Sequence, residues 1–213
     1  MKRISLLLVI IVAAVLTASS QVKTTNLTVY KNFQPSTILL KDGRAIRQPL
    51  TNIFLKNSSL LYMQGSNAME ANMDNVVSVK FDDRLYVKID TVLAYVVDSV
   101  GSDVLYCATV IDVNAYKTQM RNNVMITNLG DLTDGGITPS TIDLNTSEDY
   151  KFPLIDLFFY RLNGKYVKCH ERNLQYMLNK DKERKRIIRT FCTMKDFSWT
   201  DKDSLLKLLK ALQ

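Results

Sequence analysis

Two apolar runs, Val92-Leu93-Ala94-Tyr95-Val96-Val97 and Val104-Leu105-Tyr106-Cys107-Ala108-Thr109-Val110-Ile111, constrain this chain more than any other feature. Neither run alternates cleanly between apolar and polar residues. Side chains that avoid water therefore fall on both faces of each run, the pattern of strands covered on both sides. The six residues between them, Asp98-Ser99-Val100-Gly101-Ser102-Asp103, are turn formers around one glycine. The two runs read as a hairpin in the middle of a sheet, with shorter strands before it and helices packed after it.

Upstream, the first twenty residues have the secretory pattern. Lys2 and Arg3 precede the apolar stretch Leu6 to Leu16, and Ala18-Ser19-Ser20 supplies small residues at the cleavage positions. The stretch is short for a membrane span, which disfavours an uncleaved anchor helix. No cysteine follows it to carry a lipid anchor. The expected mature chain starts at Gln21 and is exported, periplasmic or associated with the cell surface, and not integral to the membrane.

From Leu27 to Phe81 short extended segments alternate with turn residues. Asp42-Gly43 between Thr37–Lys41 and Arg44–Arg47 predicts a two-residue hairpin turn with both residues at positive φ. Ile53–Leu55, Leu60–Met63, Val77–Phe81 and Leu85–Ile89 extend the series, so residues 21–112 are expected to form an antiparallel β-meander, open or partly closed. Residues 113–153 read as a short helix, Val113 to Arg121, and a flexible, largely polar linker. Residues 154–213 then begin with a second hairpin about Asn163-Gly164 and continue as helices. Asn173–Leu178 and Asp181–Phe191 are candidates, followed by a helix with Thr200 as its cap and Asp203 in the capping-box position. Leu205, Leu206, Leu208, Leu209 and Leu212 make the apolar stripe of that last helix. The expected fold class is α+β.

Charge is unevenly placed. From Arg161 onward there are 14 Lys and Arg against 6 Asp and Glu, whereas Gln21 to Tyr160 carries 12 against 15. Lys182, Arg184, Lys185, Arg186 and Arg189 fall within eight residues on one predicted helix. They are the candidate contact for an anionic lipid surface. A solvated helix face is the commoner use of such a run, and export disfavours nucleic acid as a partner. Cys107, Cys169 and Cys192 cannot all pair within one chain, although one disulfide and one free thiol are compatible with export.

Motifs for chemistry are sparse. The one histidine, His170, adjoins Cys169, but successive residues of a strand point to opposite faces, so adjacency does not bring the two together. It is expected as an exposed residue at a strand-to-helix junction. The cysteines lack metal-site spacing. No glycine-rich phosphate loop or nucleophile elbow is present. Asp131 and Asp134-Gly135-Gly136 lack the alternating acids of a calcium loop. The expectation is therefore a non-catalytic protein with no cofactor and no metal. It would be a binding module that takes an envelope protein at a sheet edge, with oligomeric state open. The alternative is a carrier that holds a lipid or other apolar ligand in a cavity between a curved sheet and its helices.

Several segments in order resemble a family of uncharacterised exported proteins from Bacteroidota-type bacteria. They are Lys41-Asp42-Gly43-Arg44, Thr51-Asn52-Ile53-Phe54, Tyr95-Val96-Val97-Asp98 with Val104-Leu105-Tyr106, Phe158-Phe159-Tyr160 with Asn163-Gly164-Lys165, and Leu205-Leu206-Lys207-Leu208-Leu209. The chain departs from that pattern where Leu178-Asn179-Lys180 lacks a proline and where the first central turn reads as longer. The resemblance implies an envelope location and a non-enzymatic protein, and it transfers no catalytic residue. Within it, Asp98-Ser99-Val100, Asp90-Thr91-Val92 and Asp203-Ser204-Leu205 resemble the "Asp, Ser/Thr, aliphatic" O-glycosylation acceptor of those bacteria, with Ser99 expected to be the accessible one.

Overall fold

The computed structural model describes residues 23–24, 26–122 and 151–213. The predicted leader at 1–20 and most of the predicted linker lie outside the described residues. The fold class is α+β, as the sequence patterns imply. Its strands are β1 (Lys23–Thr24), β2 (Gln34–Leu40), β3 (Ala45–Phe54), β4 (Ser59–Gln64), β5 (Asn67–Glu70), β6 (Val76–Lys80), β7 (Leu85–Ile89), β8 (Val92–Val100), β9 (Asp103–Ile111), β10 (Phe152–Leu162) and β11 (Lys165–Lys168). Its helices are α1 (Val113–Asn122), α2 (Glu171–Met177), α3 (Lys182–Cys192) and α4 (Lys202–Ala211).

All the strand pairs are antiparallel, in the order β1-β10-β9-β8-β7-β6-β2-β3-β4-β5, with β11 also on β10. The sheet is thus two meanders joined where β6 returns beside β2, with Val79 opposite Ile38. A single 3-10 turn, Met73–Asn75, makes that return, and the Asn72 side chain caps it by accepting the Asp74 N–H. Strand β5 was not evident in the sequence, because its residues Asn67-Ala68-Met69-Glu70 carry no strong alternation.

The central hairpin is where the two apolar runs place it, but its turn is tighter. Val100 pairs with Asp103, so only Gly101 and Ser102 turn the chain. Gly101 has φ +57°, which suits the first position of a two-residue hairpin turn. The backbone ladder thus continues through polar residues that composition alone assigned to a loop. Val97 is the extra residue of a bulge opposite β9. The Asp42-Gly43 turn departs in the other direction. Gly43 has φ +83° while Asp42 does not enter the left-handed region. The loop is the three residues Lys41 to Gly43, closed by Leu40 N–H to Arg44 O at 2.9 Å. Asp42 holds it with its carboxylate, which accepts the Arg44 backbone N–H at 3.0 Å and pairs with the guanidinium at 2.7 Å. At Asn163-Gly164 both residues have positive φ, as a type I′ turn requires.

Every residue of β9 except Thr109 is buried. One face packs Leu105 and Cys107 with Phe158, Tyr160 and Leu162 of β10 against Leu174, Ile188, Leu205, Leu208, Leu209 and Leu212 of the helices. The opposite face packs Val104, Tyr106 and Ala108 with Ala94 and Phe159. In the other half of the sheet, Ile53 and Leu60 pack with Val79, Phe81, Tyr86 and Leu93. The Tyr160 hydroxyl donates to the Leu205 carbonyl at 2.6 Å, fixing α4 to the sheet. The cap of α4 is Asp201 and not Thr200. Its carboxylate accepts the Ser204 N–H at 2.7 Å, while the Thr200 hydroxyl lies 2.9 Å from that of Ser198. An aspartate one residue nearer the helix wins because it supplies a charged acceptor to the unpaired N–H groups.

Cys107 and Cys169 flank Phe158. Cys107 is registered opposite Phe158 on one side, and the Cys169 N–H donates to the Phe158 carbonyl at 2.8 Å on the other. Two strand spacings, about 9.5 Å, exceed the roughly 7 Å across which a disulfide can close. All three cysteines are free thiols.

Buried Asp103 ties both hairpin turns to the end of the chain. One carboxylate oxygen accepts the Asn163 N–H at 3.1 Å and the other accepts the Gln213 side-chain amide at 3.0 Å. Asp103→Ala strands both donors and is expected to destabilise the protein by about 2 kcal/mol or more. Asp103→Asn, which keeps one acceptor oxygen, is expected to cost less. Urea unfolding of the three proteins checks this order.

Candidate functional site

One concavity, smaller than the roughly 260 Å³ hollow lined by Pro35, Arg47 and Asp82, is walled by pieces of chain far apart in sequence. Residues 27–29 lie along β3, through Val29 N–H to Ile53 O at 2.9 Å and Leu55 N–H to Leu27 O at 2.8 Å. Just before them, Lys23 and Thr24 pair with Pro153 and Phe152 of β10. This N-terminal strap thus touches strands from both meanders. The loop between β3 and β4 seats against the central hairpin. Leu93 N–H donates to Ser58 O at 2.8 Å, the Ser58 hydroxyl donates to Leu93 O at 2.7 Å, and Ile111 N–H donates to Leu55 O at 2.7 Å. Ser58 adopts φ +53°, a left-handed conformation unusual for a residue other than glycine or asparagine, held by those bonds.

Strap, loop and strands enclose a cleft of about 180 Å³, lined by Thr24, Asn26, Thr28, Val29, Leu55, Ser58, Arg84, Tyr86, Tyr95, Thr109 and Leu154. An aromatic ladder runs beside it. Tyr30 packs on Phe81 at 4.8 Å between ring centroids, Phe81 on Tyr86 at 5.8 Å, and Tyr86 on Tyr95 at 5.9 Å. Arg84 lies over the Tyr95 ring, 4.3 Å from its centroid, in cation–π geometry. The Tyr30 hydroxyl donates to Asp83 at 2.9 Å and the Thr109 hydroxyl donates to Asp156 at 2.6 Å. Burial raises the pKa values of Tyr30, Tyr86 and Tyr95 above the ordinary phenol value, so all three stay neutral hydroxyls. Burial, and then the charge of Asp156, pushes the Cys107 thiol up to about 12, which removes it as a nucleophile near neutrality.

Asn52 is what fixes the strap. It is fully buried, and its amide donates to Tyr30 O at 2.8 Å while its oxygen accepts the N–H groups of Tyr30 at 3.1 Å and Ile53 at 2.8 Å. Its place in Thr51-Asn52-Ile53-Phe54 drew notice from the sequence, but its role did not. A buried asparagine in an apolar strand, facing a loop that has no ladder of its own, was the available signal.

The residues singled out from the sequence lie elsewhere. Lys182, Arg186 and Arg189 are exposed on α3 and Lys185 is half-buried beside them. These four share one side at helical spacing. Arg184 sits on the flank nearer buried Ile188 and pairs with the N-cap Asp181 at 3.5 Å, so the structure does not bring all five together. Ser99 is exposed, but it is paired with Val104 near the end of β8 and not in the turn. Thr91, in the tight turn between β7 and β8, is also exposed, while Ser204 is buried and donates to Asp196 O. His170 is exposed at the junction of β11 and α2, where its Nδ1 accepts the Arg172 N–H at 3.3 Å, and its ring stacks near Trp199. Cys169 beside it is buried in the helix-facing core. Among the described residues no three or more His, Cys, Asp or Glu side chains are grouped as metal ligands. Among them, too, no helix is long and apolar enough to cross a membrane.

No family model, curated protein or solved structure matches this chain. Its function is therefore argued from its own geometry.

Asn52→Ala removes partners from both the N–H and the carbonyl of Tyr30. The expected cost is about 2–4 kcal/mol, one buried polar group at a time. Amide exchange should quicken at Val29 and Tyr30 well before it does in β9. Equal protection of strap and β9 in this variant would contradict the role given to Asn52.

Proposed function

We propose that this protein is a non-catalytic exported binding or adaptor module of the bacterial cell envelope, periplasmic or surface-associated, and that the strap-walled cleft is where it binds. The observation that carries the reading is the cleft itself. Protein interiors close-pack, and space left among side chains forfeits dispersion contacts. Here the strap, the loop at 55–58 and four strands hold a space open, with an arginine stacked on its wall. Maintaining that shape costs stability, and binding is the simplest return on it. The resemblance to exported Bacteroidota-type proteins and the secretory pattern at the N-terminus support the location.

The carrier reading has less in its favour. Between sheet and helices, where a lipid would lie, Tyr160, Leu162, Leu174, Ile188, Leu205 and Leu208 fill the space. The cleft is smaller than the roughly 300–1,000 Å³ typical of pockets that enclose larger ligands.

Asn26 is exposed at the rim, so Asn26→Trp would plug the cleft with little effect on folding. Envelope material retained by the parent and lost by this variant is the expected result of affinity capture. Equal retention by both, or a parent chain that emerges alone, would refute binding at the cleft.

The basic side of α3 gives this module a second, weaker contact with acidic envelope lipids. Each exposed charge contributes up to about 1 kcal/mol, screened by salt. Replacing Lys182, Lys185, Arg186 and Arg189 with glutamine should abolish co-sedimentation with anionic vesicles at low salt. Arg184→Gln should change it less, because that charge is already paired. Binding unaffected by the fourfold change would eliminate the lipid contact.

A further inference from the structure

We infer that the cleft takes a compact apolar molecule bearing a single carboxylate, held by Arg84. This rests on the binding-module reading above and names the ligand class for the same site. Arg84 is the one ionisable cation among the lining residues, and no Asp or Glu is among them. Asp83 accepts the Tyr30 hydroxyl and Asp156 the Thr109 hydroxyl, and neither is ion-paired with Arg84. Among the described residues Arg84 makes no ion pair; its guanidinium bonds to the Tyr86 hydroxyl and lies over the Tyr95 ring. With its face on an aromatic ring and one N–H on the Tyr86 oxygen, the guanidinium keeps its remaining N–H groups for a planar, two-oxygen acceptor.

Hydrogen-bond bookkeeping narrows the class. The hydroxyls of Thr28, Ser58 and Thr109 have donated their protons to Tyr30 O, Leu93 O and Asp156. Besides the Tyr86 and Tyr95 hydroxyls, which lie against Arg84 and Cys107, the donors left for an anion are the remaining Arg84 N–H groups, the Asn26 amide and the Thr24 hydroxyl, whose oxygen accepts the Asn26 backbone N–H. That is enough for one carboxylate and too few for the several charges of a phosphate ester. A ligand ammonium would find no lining carboxylate, which disfavours free amino acids. The remaining wall is Val29, Leu55 and Leu154, an apolar surface for a short branched or cyclic body. The volume of about 180 Å³ matches a body of a few carbons.

Titration of 3-methylbutanoate into the isotope-labelled full chain, followed by NMR, tests the inference. The uncharged amide of the same acid and inorganic phosphate are the comparison probes. Saturable shifts confined to Leu55, Arg84, Tyr95 and Leu154 are expected with the acid. The amide should bind at least about tenfold more weakly, and so should the acid to Arg84→Gln, since a hydrogen-bonded charge pair is worth that much or more. Arg84→Lys, which keeps the charge and loses the fork, should fall between. Because Arg84 is exposed, these variants should keep the parent spectrum away from the cleft. No saturable shift with the acid, equal affinity for acid and amide, or equal affinity for phosphate would each overturn the inference. If the acid fails while Asn26→Trp still abolishes capture of envelope material, the ligand class is wrong and the binding-module reading stands. If both fail, the cleft is not a binding site.

Discussion

The pairing of β9 with β10 is the interaction on which the rest of the molecule depends. Eight registered pairs run from Val104 opposite Arg161 to Ile111 opposite Leu154. They join the strands β6 to β9 of the second meander to the chain that follows residue 150, and so give the helices a floor to pack on. Both hairpins converge at the Arg161 end of this ladder, where Asp103 accepts hydrogen bonds from the turn of one and from the last residue of the chain. At the Leu154 end, Thr109 and Leu154 enter the cleft and the strap docks just beyond. The same two strands therefore supply the core in the middle, a polar latch at one end and the candidate site at the other.

Much of this was legible in the sequence because it rests on periodicity and local turn chemistry. The unbroken apolar run at 104–111 announced a strand buried on both faces, and the leucine spacing at 205–212 announced the side of α4 that meets it. Asn163-Gly164 specified its turn, since few other dipeptides tolerate two positive φ angles in succession. The errors were equally local. Thr200 was a fair cap, but Asp201 offers a charged acceptor one position nearer the helix. Asp98 to Asp103 looked like a loop because composition cannot show that backbone pairing continues through polar residues.

The cleft was not legible, for a physical reason. Its lining comes from residues 24–29, 55–58, 84–95, 109 and 154, which no window of sequence contains. No metal spacing or catalytic motif marked it, and Arg84 reads as one of many surface cations until the fold lays it on Tyr95. Asn52 stands out in sequence only as part of Thr51-Asn52-Ile53-Phe54. Its meaning depends on the partner it holds, twenty-two residues earlier in the chain.

The strap also has a consequence for how this chain acquires its structure. Lys23 and Thr24 find their partners at Pro153 and Phe152, about 130 residues later, and Asp103 finds one of its own at Gln213. Contacts this distant in sequence slow folding, because loop-closure entropy must be lost before the contacts form. On a ribosome the first strand emerges long before its neighbour exists. Strand β9 must wait with an unfinished edge, and the cleft closes only once the last third of the chain has been made.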